Sequence, residues 1–204
     1  MRCHCVLPTH ALRFIAITGG PGAGKTALLE VIRRHFCQHV VVVPEAAGIV
    51  YGGGFPRRRD ERARRAAQRV MYHVQSELER LVTDEAKAAV ALCDRGTLDG
   101  LAYWPGAPAD FFADLATTRS RELARYAAVI HLRVPPPHEF NHDNPLRIES
   151  PEEARAIDER IVSAWDGHPR RHFVDSANDF LTKMTSAVEL VRAEVPPCCV
   201  ADGD

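Results

Sequence analysis

Apolar residues along this chain follow two alternating patterns, short continuous runs and longer amphipathic segments. The continuous runs are rich in β-branched residues and predict five strands, at about 12–18, 39–45, 88–96, 126–134 and 171–175. The amphipathic segments have apolar residues at three- and four-residue spacing and predict helices at about 25–36, 57–88, 109–116, 119–125, 151–165 and 178–194. This alternation predicts an α/β fold, with a five-stranded parallel sheet, helices on both faces and right-handed crossovers.

The segments between these elements include two stretches that break the pattern. Residues 48–56 contain three consecutive glycines and are predicted to be a loop, and the long helix that follows has a candidate interruption near Thr83. Residues 135–150 are rich in Pro and Asn and predict a mobile lid, after which Ser150 and Pro151 are typical of a helix start. No repeat or linker divides the chain, so residues 1–204 are expected to form one domain, with a core over about 12–195 and flexible termini.

A glycine-rich motif lies between the first predicted strand and the first predicted helix. It fits G-x-x-x-x-G-K-[ST] in full and predicts a phosphate loop of the three-layer P-loop NTPase fold, which binds ATP or GTP. Lys25 is expected to contact the β- and γ-phosphates and Thr26 to bind Mg²⁺. The residues predicted to hold the nucleotide are Gly19, Gly20, Pro21, Gly22, Ala23, Gly24, Lys25, Thr26 and Ala27.

Charged residues follow the second and third predicted strands, whose ends should meet the phosphate loop in one cleft. Asp94 ends an apolar strand as a Walker B acid does, so we expect it to hold Mg²⁺ opposite Thr26. Arg95 is expected to contact a transferred phosphoryl group or an anionic substrate, with an ion pair to a carboxylate as the alternative. Glu45 is expected to act as a base or to bind the hydroxyl of an acceptor, again with a structural ion pair as the alternative.

Two further polar side chains are candidates for the acceptor and lid sides of the cleft. Gln68 on the long helix offers an amide for substrate recognition, although a helical Gln is often merely a surface residue. Arg147 lies in the predicted lid, where it would exclude water and neutralise charge in the transition state; Arg133 and Arg155 compete for this role.

The chain resembles P-loop kinase-like ATP-binding proteins related to the nicotinamide riboside kinase domain and, more remotely, to deoxynucleoside and thymidylate kinases. The resemblance spans about 13–195. It is carried by segments 18–26 (TGGPGAGKT), 43–47 (VPEAA), 93–103 (CDRGTLDGLAY), 144–149 (NPLRIE) and 156–158 (AID). It implies ATP, Mg²⁺ and a kinase-like core, with Glu45 and Asp99 facing the acceptor and Arg147 as the lid arginine. The acceptor itself is expected between Glu45 and Tyr103.

Net charge and apolar content limit the choice of partners. The formal net charge is −1, which gives no global reason to expect nucleic acid or an anionic membrane, and no apolar run approaches the ~20 residues of a membrane span. Seven arginines between 57 and 69 form a basic cluster, which we interpret as a solvated helix face or a surface near an anionic substrate rather than a nucleic-acid site. The expected partners are therefore a nucleotide and a small-molecule acceptor; a homodimer stays open.

The chain has six cysteines, too few for a dense disulfide framework at this length, which favours a reducing cytoplasm. Cys93 lies in an apolar strand and is predicted to be a buried free thiol. The Cys3-His4-Cys5 segment and the pair Cys198-Cys199 would bind a metal jointly if the termini met; incidental thiols at frayed ends are the favoured interpretation.

Other functions have weaker sequence support. Residues 138–142 fit H-E-x-x-H, a zinc-protease motif, but the prolines around them disfavour the helix that this motif needs. No Asn-Lys-x-Asp element is present to select guanine, which favours ATP over GTP. The sequence therefore predicts a Mg-ATP-dependent phosphotransferase that acts on a small hydroxyl compound such as a nucleoside. The alternative is a regulatory ATPase without a small-molecule acceptor.

Overall fold

A computed structural model describes residues 10–136, 150–175 and 179–199. Its centre is a five-stranded sheet, parallel throughout, with the strand order β2-β3-β1-β4-β5. The strands are β1 Arg13–Thr18, β2 Val40–Val43, β3 Val90–Asp94, β4 Ala128–Leu132 and β5 Arg171–Val174. The predicted α/β fold is confirmed, and β1, which leads into the phosphate loop, is the middle strand.

Helices cover both faces of this sheet. They are α1 Lys25–His35, α2 Ala46–Gly52, α3 Glu61–Glu85, α4 Pro108–Asp114, α5 Arg119–Ala124, α6 Pro151–Ala164 and α7 Phe180–Glu194, with 3₁₀-helices at Thr97–Tyr103 and Pro197–Cys199. Alternate residues of β1 belong to different cores, because successive side chains of a strand point to opposite faces. Ile15 and Ile17 pack with residues of α1 and α7, whereas Ala16 packs with Ile157, Ile161 and the neighbouring Trp165 on the α6 side. Among the described residues, no helix is both long and apolar enough to cross a bilayer.

Two predicted boundaries around the glycine-rich segment 48–56 are wrong. Residues 46–52 form helix α2 instead of a loop, because Ala46 and Val50 are buried and Glu45 is extended at the helix start. Helix α3 begins at Glu61 rather than near residue 57, since the Asp60 side chain accepts a hydrogen bond from the backbone N–H of Ala63. It then continues through position 83 without an interruption.

The start of α6 agrees with the prediction. Ser150 and Glu153 form a capping box, in which each side chain accepts a hydrogen bond from the backbone N–H of the other residue. The predicted lid at 135–150 lies mostly outside the described residues, as do Arg147, the H-E-x-x-H segment and Cys3-His4-Cys5.

Helix α3 is held to the sheet by a buried polar cluster. Glu79 is 3% exposed and accepts hydrogen bonds from Tyr126 (2.6 Å) and Gln75 (3.0 Å), and it forms an ion pair with Arg125. Cys93 lies beside it as a buried free thiol, as predicted, and burial raises its pKa. Since a buried carboxylate needs several partners, this cluster fixes the position of α3 along β3.

Candidate active site

The phosphate loop is a tight turn between β1 and α1. Its Gly19, Gly22 and Gly24 have φ angles of +133°, +81° and +98°, which L side chains rarely adopt. A Cβ atom on Gly19 would lie 2.1 Å from the carbonyl oxygen of Leu132, so only glycine fits against β4 there. The turn leads directly into the N-terminus of α1, where backbone N–H groups and the helix dipole favour anions.

The remaining loop residues stabilise this shape. The backbone N–H of Ala23 donates to the carbonyl of Gly20 at 3.3 Å, and both residues are buried. Pro21 is half-buried, and Ala27 packs against the core beneath α1. Their contact with a nucleotide stays a prediction.

The side chain of Lys25, which is predicted to contact the β- and γ-phosphates, folds back into the phosphate loop. Its Nζ donates to the carbonyl oxygens of Gly19 (2.8 Å) and Gly20 (3.0 Å), and the residue is 8% exposed. Burial, together with the nearby charge of Arg95, lowers the pKa of Lys25 to about 7. A polyphosphate would supply the negative charge that the buried ammonium needs.

Thr26 and Asp94 are the residues predicted to bind a magnesium ion through oxygen atoms. Thr26 is exposed in the first turn of α1, and Asp94 ends β3, paired in register with Ile17 of β1. Burial raises the pKa of Asp94, and the charge of Glu45 adds to this effect, while Lys25 opposes it. A hydroxyl and a carboxylate are hard oxygen donors that suit Mg²⁺, so the donor chemistry fits the ion.

Arg95 lies at the centre of the candidate site. Its φ of +74° is in the left-handed region, which a non-glycine residue adopts only when its surroundings require it. Its Nε donates to Glu45 Oε1 at 2.7 Å, and its Nη1 donates to the Gly19 carbonyl at 3.3 Å. Nη1 also lies 3.6 Å from Asp99 Oδ2, and the guanidinium carbon lies 5.7 Å from the centre of the Tyr103 ring. Arg95 therefore connects the phosphate loop to the groups predicted to face an acceptor.

Glu45 forms an ion pair with Arg95, which is the alternative role predicted for it from the sequence. Burial would raise the pKa of Glu45, but Arg95 and Lys25 outweigh this effect and lower it, so the carboxylate stays ionised. The side chain is 38% exposed, so solvent and small molecules can still reach it. A reachable carboxylate held by an arginine can orient a hydroxyl, although its low pKa makes it a weak base.

Asp99 and Tyr103 lie on the 3₁₀-helix that follows β3. Asp99 is 2% exposed, and its Oδ1 accepts hydrogen bonds from Thr18 Oγ1 and Trp165 Nε1, both at 2.6 Å. In this arrangement Asp99 positions Arg95, while direct contact with an acceptor stays a prediction. Tyr103 is half-buried and covers the guanidinium of Arg95.

Gln68 faces inward from α3 and is not a surface residue. It is 8% exposed, and its Oε1 lies 3.0 Å from the position that a Cβ atom on Gly100 would take. Its amide is therefore packed against the 3₁₀-helix that carries Asp99 and Tyr103. The role of Gln68 in recognising an acceptor stays a prediction.

A buried network lies behind the phosphate loop and was not predicted, although Asp158 belongs to the 156–158 segment of the resemblance. Asp158 of α6 accepts a hydrogen bond from the backbone N–H of Gly20 at 2.8 Å through Oδ1, and the same oxygen lies 2.8 Å from His131 Nε2. Its Oδ2 lies 3.3 Å from Arg133 Nη1. Two signals were available: His131 interrupts an apolar strand, and Asp158 lies on the buried side of its helix, one turn after Ala154.

Several arginines of the basic cluster at 57–69 pair with nearby carboxylates. Arg65 lies 3.1 Å from a carboxylate oxygen of both Glu61 and Asp110, and Arg69 lies 2.9 Å from Asp114. These pairs are what a solvated helix face predicts, and they join α3 to α4. The absence of a nucleic-acid partner stays an expectation.

Comparisons with known proteins agree with this fold. The chain is similar in structure to thymidylate kinase from Candida albicans, with a TM-score of 0.59 and 13% sequence identity over 89% of this chain and 91% of that chain. At this identity the likeness concerns the fold alone, and no protein of curated function matches the sequence significantly. A family model described as an AAA domain matches residues 14–182. The chain therefore belongs to this AAA domain family, with a P-loop kinase-like fold.

Proposed function

We propose that this protein is a Mg-ATP-dependent phosphotransferase that moves the γ-phosphate of ATP to the hydroxyl of a small acceptor, such as a nucleoside-like compound. The contacts of Arg95 support this proposal most directly. They join the phosphate loop, through the Gly19 carbonyl, to the ionised and accessible carboxylate of Glu45. An acceptor hydroxyl beside Glu45 would thus face the end of a polyphosphate held by the loop.

Each group has a separate task in this proposal. Thr26 and Asp94 would hold Mg²⁺, which when bound neutralises charge on the phosphates. The Lys25 ammonium would leave the carbonyls of Gly19 and Gly20 for phosphate oxygens. Glu45 would accept a hydrogen bond from the acceptor hydroxyl, and Arg95 would stabilise the negative charge that develops during transfer.

A thermal-shift panel identifies the acceptor class. Nucleosides, nicotinamide riboside and small alcohols are added one at a time to protein that is saturated with Mg²⁺ and a non-hydrolysable ATP analogue. A true acceptor should raise Tm further, because a ligand that binds only the folded state stabilises it by mass action. If no acceptor adds to the effect of the nucleotide, the phosphotransferase proposal fails.

Substitution of Glu45 is the sharpest functional test. E45Q keeps the size of the side chain but removes its charge, so we expect acceptor phosphorylation to fall by about 10²- to 10⁴-fold. ATP affinity should change less than about threefold, since Glu45 is not expected to touch the phosphates. The matched control is E77Q, whose carboxylate pairs with Arg80 on the exposed face of α3. A fall in ATP affinity as large as the fall in turnover would contradict this role.

One observation favours a second candidate, a regulatory ATPase. The Glu45–Arg95 ion pair is also what a purely structural carboxylate would form. An ATPase should release ADP at the same rate with and without acceptors, and E45Q should then leave ATP hydrolysis unchanged. A kinase should release ADP rapidly only when its acceptor is present.

A further inference from the structure

Three potential metal ligands meet at the edge of the sheet that lies opposite the phosphate loop. His10 precedes β1, His39 precedes β2, and Cys199 ends the 3₁₀-helix after α7. Cys199 Sγ lies 3.9 Å from His10 Nε2 and 3.4 Å from His39 Nδ1. The three ligand atoms all lie within 4.8 Å of one another. Residues that are far apart in sequence thus bring two imidazoles and one sulfur to a single point.

The spacing of these atoms suits a tetrahedral metal ion. Zinc binds histidine nitrogen at about 2.0–2.1 Å and thiolate sulfur at about 2.3 Å, so neighbouring ligands of a tetrahedral site are roughly 3.3–3.7 Å apart. The two measured sulfur–nitrogen separations fall within a few tenths of an ångström of that range. Imidazole and thiolate donors together favour zinc over Mg²⁺ or Ca²⁺, which prefer oxygen.

The ligands are held by the fold and not only by one another. The His39 carbonyl accepts backbone hydrogen bonds from Ala89 (2.8 Å) and Val90 (3.1 Å), which join it to the start of β3. Cys199 is 2% exposed, belongs to the core on the α1 and α7 side, and donates its N–H to the Pro196 carbonyl at 2.8 Å. A metal could therefore bind without a large rearrangement, and its binding energy would stabilise the fold.

We propose that His10, His39 and Cys199 form a structural site for one zinc ion, with a fourth position filled by water or another donor. On binding, the Cys199 thiol gives its proton to solvent, a zinc–sulfur bond forms, and the neutral imidazoles donate their lone pairs. The ion would join the segment before β1 and the segment after α7 to the start of β2. This role is independent of the proposed phosphotransfer.

The test uses the full-length chain, stripped of metal with a chelator and then titrated with Zn²⁺ and with Co²⁺. We expect one zinc per chain by elemental analysis and a thiolate-to-cobalt charge-transfer absorption. At a free zinc concentration about a hundredfold above Kd, Tm should rise by roughly 5–11 °C. C199A and H39A should each lose the stoichiometric zinc, the cobalt absorption and the Tm increase.

Cys37 provides the matched control, because it is also a buried thiol with 2% exposure but does not belong to the cluster. C37A should retain the full zinc response, even if its overall stability falls. Zinc stoichiometry near zero in the wild-type chain would overturn the proposal. Equal zinc binding by C199A and wild type would also overturn it, since the metal would then be held by other residues.

Discussion

At the scale of single residues, the candidate site is defined by five ionisable side chains in a small, partly buried space. Two are cations and three are carboxylates: Lys25, Arg95, Glu45, Asp94 and Asp99. Their charges act on one another, so burial lowers the pKa of Lys25 while the pKa of Arg95 rises, because its acidic neighbours outweigh burial. The pKa of Lys25 is thereby brought to about 7.

The pKa of Lys25 predicts how nucleotide affinity depends on pH. With a pKa of about 7 in the nucleotide-free protein, Lys25 loses its proton as the pH rises above 7. Because the phosphates bind the charged ammonium, nucleotide binding takes up a proton, and Kd for ATP should increase by up to about tenfold per pH unit between about pH 7 and 9. Isothermal titration calorimetry in buffers of different ionisation enthalpy measures both the affinity and the proton uptake.

K25R is the control for this pH dependence. An arginine stays protonated over the whole range, so the Kd of this variant should be nearly independent of pH, whatever its absolute affinity. If the Kd of the wild-type chain does not change with pH, Lys25 is still fully charged near pH 9. That result would contradict the lowering of its pKa by burial and by Arg95.

The residues of the phosphate loop were predictable, but their surroundings were less so. Spacing alone identifies Gly19, Lys25 and Thr26, because that motif has one known geometry. The left-handed backbone of Arg95 is not marked by its neighbours in sequence, and Asp99 accepts a hydrogen bond from Trp165, which is far along the chain. No local pattern contains that information.

At the scale of elements, α6 supports the phosphate loop from behind. Asp158 connects the middle of α6 to the Gly20 backbone and to His131 in β4. Burial alone would raise the pKa of Asp158. The hydrogen bond and charge of His131, the hydrogen bond from the Gly20 N–H and the charge of Arg133 together outweigh burial and lower this pKa. The carboxylate therefore contributes stability that is present above its unfolded pKa and is lost as the pH falls through its folded pKa.

We predict that D158N lowers the free energy of unfolding by about 2 kcal/mol at neutral pH, because it weakens charge-assisted bonds to buried partners. The Tm should fall by roughly 4–8 °C. The difference from wild type should begin to shrink below about pH 4, near the unfolded pKa of an Asp, and should be smallest below the lower folded pKa, where Asp158 is protonated in both states. Urea unfolding of D158N and of wild type at several pH values measures this difference in the free energy of unfolding.

D166N is the matched control, since Asp166 is 82% exposed and lies 3.5 Å from Arg171 at the surface. Its effect should stay within about 0.5 kcal/mol at every pH. Equal losses for D158N and D166N would contradict the role assigned to the buried network.

Helix α2 was not predicted, because its sequence carries little helical signal. Its seven residues include Gly48 and Gly52, which have low intrinsic helix propensity, and such a short segment contains only two turns of periodicity. The helix forms because Ala46 and Val50 are buried against the rest of the fold. Strands β1 and β3, by contrast, were found to within two residues, since an uninterrupted apolar run is visible without knowledge of its neighbours.

At the scale of the whole molecule, the parallel sheet separates two chemistries. The phosphate loop, Glu45, Asp94 and Arg95 lie at the carboxyl ends of strands, whereas His10, His39 and Cys199 gather at the amino ends. Arg13 and Thr18 are the first and last residues of β1, so the two edges are roughly 17 Å apart at ~3.3 Å per residue.

This separation predicts that the two edges act independently. C199A and H39A should bind ATP with a Kd within about twofold of wild type, because substitutions more than 7–10 Å from a site and without shared partners rarely couple to it. Calorimetric titration of ATP into each variant measures this. A tenfold loss of affinity in either variant would reveal coupling through the sheet.

The capping box of α6 also has a consequence for protein engineering. The helix begins at the capping box of Ser150 and Glu153, and before the segment 137–149 the Arg133 N–H donates a hydrogen bond to the Val174 carbonyl at 2.9 Å. Both sets of hydrogen bonds join residues outside that segment. The sequence between these anchors can therefore be exchanged with that of related chains to test the predicted lid, provided that Arg147 is kept.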